Sequence, residues 1–167
     1  LFPGLMDPIK EFSEPGFIHQ LARREKISSY TWEPLPPQVM EYLFALPFSK
    51  EQLALRVKLG AYFSNRRFGK PADPEGFVTD YLSDTHRWPG LENTLATVAD
   101  IDVAWKRYFP DGPDWREVSD ESDLPGFLKE ISSNAARDQH FARVIIDLVN
   151  KSEHVFAVAG SSHAVKL

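Results

Sequence analysis

The chain has 167 residues, 43% of them apolar and 26% charged, with a net charge of −5 and no cysteine. That is enough chain for one domain with its own core and an ordinary composition for a globular protein. The absence of cysteine excludes disulfides, thiolate catalysis and cysteine metal sites. The acidic balance, without a dense basic cluster, argues against nucleic acid or an anionic membrane surface as the main partner, and no apolar run approaches the roughly 20 residues of a membrane span.

Residues 1–13 read as a loop broken by Pro3, Gly4 and Pro8. The opening Leu1-Phe2-Pro3-Gly4-Leu5 has the look of a strand end entering a turn, so either a further piece of the fold or a processed leader is expected upstream. Ser13 offers an N-cap, with Glu14 and Pro15 in the first turn of a helix that carries Phe17, Ile18, Leu21 and Ala22 on one face. Its basic end, Arg23-Arg24-Glu25-Lys26, complements the helix dipole. Gly16-Phe17-Ile18-His19 spells G-x-x-H, but inside the helix, where His19 is a helix-face residue.

Ile27-Ser28-Ser29-Tyr30-Thr31-Trp32 is β-branched and aromatic enough for a strand, and Pro34 stops it just past Glu33. A short helix comes next around Val39, Tyr42, Leu43 and Leu46, broken by Pro47. Ser49 caps the next helix, with Glu51 and Gln52 in its first turn and an apolar run from Leu53 to Phe63. Asn65 to Pro71 closes it with a basic cluster, read as a solvated helix end. Further helices are expected over Phe77–Leu82 and Leu91–Tyr108, with a turn-rich connection from Phe109 to Trp115 and a helical lead-in from Leu124 to Ile131.

The last stretch begins with an amphipathic helix headed by Arg137-Asp138. It turns over Asn150-Lys151-Ser152-Glu153, continues as an apolar strand, Val155 to Ala159, and ends at Gly160-Ser161-Ser162-His163. Helix, turn and strand in this order on both sides predict an α/β fold. It is helix-rich, with a small, mainly parallel sheet flanked by helices. A single domain over 1–167 would hold it, with a helical insert over about 70–130. Two strands are too few for a sheet buried on both faces. Either more strands lie upstream, or the fold is mostly helical with a small sheet.

Glu33 and His163 both end predicted strands, the place where open α/β sheets bind ligands. With Arg137, Asp138 and His140 they are the residues whose chemistry suits a site. Histidine and glutamate ligate divalent metals such as zinc or manganese, and a carboxylate or imidazole serves as a general base. Arg137 stays protonated and would orient an anion or the glutamate through a bidentate pair. Each residue also has a plainer reading: Glu33 as a helix-entry carboxylate, Arg137 paired with Asp138 or Asp147, His163 as a loop histidine. His140 reads as a helix-face residue, and His86 and His154 as loop residues.

The segment Arg137-Asp138-Gln139-His140-Phe141-Ala142, with the apolar helix, turn, strand and Gly160-Ser161-Ser162-His163 after it, resembles the C-terminal signature of the Tiki/TraB superfamily. That superfamily includes TraB/GumN/PrgY proteins, ChaN haem-binding lipoproteins and erythromycin esterases. Thr31-Trp32-Glu33-Pro34 and the leucine-rich helix with Gln52 are similar to its earlier strand–glutamate–helix piece. The resemblance covers about residues 27–60 and 134–163; residues 70–130 match only as a variable helical insert.

The resemblance implies a hydrolase attacking a peptide or ester bond in a small-molecule or peptide substrate. Glu33, Arg137 and His163 would be its site residues, with Gly160 as the turn that lets the backbone pass close to the ligand. His163 and Glu33 would hold a divalent metal (manganese, cobalt or zinc) if one is used. The resemblance also implies a second G-x-x-H on an upstream strand. The alternative it carries is a non-catalytic protein binding haem or another ligand, or an interaction domain without catalysis.

Overall fold

The computed structural model describes residues 8–119, 123–131, 133–151 and 154–160. They form helices α1 (Pro8–Arg24), α2 (Pro36–Phe44), α3 (Lys50–Asn65), α4 (Pro74–Ser83), α5 (Val98–Tyr108), α6 (Phe127–Glu130) and α7 (Ser133–Asn150). Single 3-10 turns lie at Arg66–Phe68, Thr85–Arg87 and Trp115–Glu117.

Among the described residues there is no β-strand, which corrects the α/β expectation: the described chain is all-α, without a parallel sheet. Ile27 to Trp32 and Val155 to Ala159 have the side chains of strands but no regular secondary structure. A strand is defined by the ladder it shares, and two short segments cannot by themselves supply a sheet with covered faces. The described contact between them is made by a side chain instead. The Trp32 indole donates to the Val158 carbonyl at 3.2 Å.

The chain divides into two compact units, Leu1–Glu33 with His140–Leu167, and Pro34–Gln139. The second holds a continuous core built around α3. Ser49 accepts from the Gln52 amide and Gln52 accepts from the Ser49 amide, closing the capping box that the sequence announces. Downstream, Leu53, Leu55, Leu59, Tyr62 and Phe63 are buried, as are Arg56 and Lys58. The helix is covered on almost every side, by α2, α4, α5 and α6. Aromatic rings fill the space between: Trp115 meets Tyr62 edge-on at 5.0 Å, and Trp105 meets Phe63 at 6.2 Å.

Without a sheet, this unit joins its helices by irregular segments whose carbonyls need donors. Side chains of α3 and the turn after it supply them. Arg56 donates to the carbonyls of Leu128 at 3.1 Å and Ile131 at 3.0 Å. The Tyr62 hydroxyl donates to Arg116 O at 2.7 Å, and Arg66 donates to Val118 O at 2.9 Å. Four backbone oxygens are thus held by α3 and the turn after it.

Element ends differ from the sequence reading where local chemistry is decisive. Helix α4 starts at Pro74, capped by Asp73, whose carboxylate accepts from the Gly76 amide at 2.9 Å. Helix α5 starts at Val98 and not at Leu91, because Thr97 and Asp100 form a capping box there and Leu95 has φ +54°, outside helical space. Gly90 has φ +88°, a conformation that strains any other residue, and a Cβ there would also press on the Phe44 ring at 3.0 Å.

The first unit is built differently. Helix α1 begins at Pro8, ahead of Ser13, and contains Pro15. It ends in a Schellman pattern: Ile27 N–H bonds to Ala22 O at 2.8 Å and Lys26 N–H to Arg23 O at 3.3 Å, with Lys26 at φ +57°. Beyond that turn, Trp32 is the residue around which the unit gathers. Its ring lies 4.7 Å from that of Phe141 on α7, and its indole holds Val158. Ser29 is bonded to His19 of α1 at 2.9 Å. Gly16 and Phe141 are the buried residues among those described in this unit. Ile27, Tyr30, Ile146, Val149 and Phe156 stay exposed.

Candidate functional site

Glu33 closes the first irregular segment of unit one. Its amide donates to the Thr31 hydroxyl at 3.3 Å, and its side chain is exposed. The neighbouring Trp32 reaches the second segment at Val158, two residues before Gly160. Gly160 is exposed at the end of that segment. The structure therefore brings the Glu33-bearing and Gly160-bearing segments into contact. His163 lies outside the described residues.

Arg137 belongs to the other unit. It is half-buried in the first turns of α7 and donates to the Asn134 side chain at 3.3 Å, a local helix contact. Asp138 beside it is also half-buried. His19 and His140 sit on helices, and His86 and His154 are exposed outside α-helices, as their sequence settings suggest.

A metal would need three or more converging donors. Among the described residues no group of three His, Asp or Glu side chains is placed to hold one. Among the same residues no helix is long and apolar enough to cross a membrane.

The densest polar chemistry of the described chain lies in unit two, at residues that sequence reading passes over. Arg116 forms a bidentate pair with Asp102, at 2.8 and 3.0 Å, and adds Asp114 at 3.0 Å and Glu75 at 2.9 Å. Its guanidinium lies 4.3 Å from the centre of the Trp115 ring, while that indole donates to Asp102 at 2.7 Å. Burial pushes the Asp102 carboxyl up, but the hydrogen bonds from Arg116 and Trp115 outweigh it and hold the group below its usual range. Every carboxylate there is engaged by the arginine, so the cluster braces α4, α5 and the Trp115 turn. It offers no unengaged base.

The second overlooked residue is Lys58, 2% exposed in the middle of α3. Burial pushes its amine below the usual lysine range, and the nearby Glu92 and Asp100 carboxylates act in the opposite direction. The run Leu53-Ala54-Leu55-Arg56-Val57-Lys58-Leu59 carried the available signal, two cations set among apolar residues of one helix. Many of the aromatic residues that a haem pocket would use, among them Tyr62, Phe63, Trp88, Trp105 and Trp115, are core residues of unit two. Comparison with protein-family models, with characterised proteins and with solved structures finds no match.

Proposed function

We propose that unit one carries a hydrolytic site of the Tiki/TraB kind, in which Glu33 and His163 activate water against a peptide or ester carbonyl. The reading rests on the sequence resemblance and is supported by one contact. The Trp32–Val158 hydrogen bond draws the segment ending at Glu33 against the segment leading to Gly160 and His163. In this mechanism the His163 imidazole takes the proton from water as it attacks the carbonyl carbon, then returns it to the leaving group. The Glu33 carboxylate accepts from the other ring N–H, fixing the tautomer and stabilising the imidazolium. Gly160 leaves room for the substrate backbone to approach. These steps use residues of unit one alone.

The test is hydrolysis of a panel of peptides and carboxylic esters, run with and without a chelator. Glu33→Gln and His163→Asn are each expected to lower kcat/KM about 10²- to 10⁴-fold. A chain inactive on every substrate, or variants that hydrolyse as well as the parent, would overturn the reading. A second reading has its own observation: Ile27, Tyr30 and Phe156 are exposed on the same two segments, with Phe156 81% exposed. That apolar surface fits a ligand-binding protein for haem or another flat apolar ligand. A haem titration without a shift of the Soret band rejects that form of it.

A further inference from the structure

Two local costs meet over one short segment of unit two. Residues 92–97 link the buried Leu91 to the start of α5, and they run past Lys58. The ammonium has three N–H donors to satisfy. The backbone acceptors it meets are Leu95 O at 3.4 Å and Glu92 O at 3.5 Å, both at the long limit of a hydrogen bond. The Trp88 ring, centred 5.1 Å away, adds a cation–π contact. With only long bonds to backbone oxygens the ammonium is incompletely solvated, although the Glu92 and Asp100 carboxylates nearby favour its charge. The second cost is in the backbone. Leu95 has φ +54°, left-handed space that a branched side chain rarely enters, and such outliers persist only where surrounding structure imposes them.

The segment is held by a small set of local bonds. Leu91 is fully buried, and the Thr94 amide donates to its carbonyl at 3.0 Å. At the far end Thr97 and Asp100 cap each other, with the Thr97 amide 2.9 Å from the Asp100 carboxylate. Between these points Glu92, Asn93 and Ala96 are exposed, the Glu92 carboxylate accepts from the Gly90 amide at 2.9 Å, and Leu95 packs partly buried against the core. We propose that residues 92–97 are a lid poised to open off Lys58, strained shut by the buried ammonium and by Leu95. Opening hydrates the ammonium and lets Leu95 return to negative φ, so both costs are relieved in one movement. The surface uncovered is a cation beside an indole face on the central helix of the unit.

Native-state hydrogen exchange on the full chain tests the lid. The Thr94 and Thr97 amides are expected to exchange through a local opening, far faster than the amides of Leu59 and Tyr62 in α3. Lys58→Met replaces the charge with an apolar side chain of similar length, and should slow the Thr94 and Thr97 amides about tenfold relative to α3. The proposal is overturned if those amides exchange only with global unfolding. It is equally overturned if Lys58→Met leaves them unchanged or speeds them relative to α3. A Lys58→Met chain that fails to fold also overturns it, because the ammonium would then be a support and not a strain.

Discussion

The two units of this chain solve the same problem with different success. Both must order irregular segments next to helices. Unit two does so by burying a helix, α3, and letting polar side chains of that helix and of the turn after it seize the carbonyls around them. Unit one orders its segments around a single indole, Trp32, and leaves Ile27, Tyr30 and Phe156 in solvent. The lesson is that apolar content does not by itself make a core. Segments must first have their backbone groups satisfied, and unit two has the donors placed to do it.

The largest expected effect breaks the closed unit. Trp115 is fully buried, touches Tyr62 edge-on and donates to Asp102. Trp115→Ala should destabilise unit two by about 3–5 kcal/mol in denaturant unfolding. Phe156→Ala, at the opposite extreme, should change stability by less than about 0.5 kcal/mol. Equal losses at the two positions would erase the contrast between the units.

The charge cluster sharpens it further. Asp102 has its pKa depressed in the folded protein. It therefore contributes stability above its unfolded value of about 3.9, and that contribution is lost as pH falls through the lower folded value. Unit two should lose stability below about pH 4, and Asp102→Asn should flatten that part of the stability–pH curve. A smaller effect than that of Trp115→Ala belongs to unit one. Trp32→Phe keeps a ring against Phe141 but removes the donor to Val158, a loss of about 1 kcal/mol confined to that unit. Exchange rates at 155–160 should rise while those of α3 stay fixed.

Local signals in the sequence carried much of the helical order. Ser49 with Gln52, the short helix ahead of Pro47, and the Arg137 helix all rest on interactions within a few residues, and periodicity shows them. What failed was whatever depends on distant partners. The composition of Ile27 to Trp32 and Val155 to Ala159 is that of strands, yet a strand exists only through its neighbour. Arg116 draws Glu75 from 41 residues away and Asp102 from 14, and no spacing rule announces such a cluster. Leu95 hides the start of α5 because an apolar residue at helical spacing looks helical whatever its φ. For the candidate site, the residue types of Glu33 and Gly160 were legible. The Trp32 contact that draws their segments together was not, since it pairs a side chain with a backbone oxygen 126 residues on.

The stapling of unit two also shapes which of its positions can drift. What Arg56, Tyr62 and Arg66 grip is main-chain oxygen, which every amino acid carries. At positions 116, 118, 128 and 131 the gripped atom survives any side-chain replacement that keeps the backbone path. The gripping residues have no such latitude, because few side chains combine their reach with a donor at the end. What limits replacement at the acceptor positions is therefore not the grip but the ion cluster at Arg116 and the burial of Val118, Leu128 and Ile131 in the core.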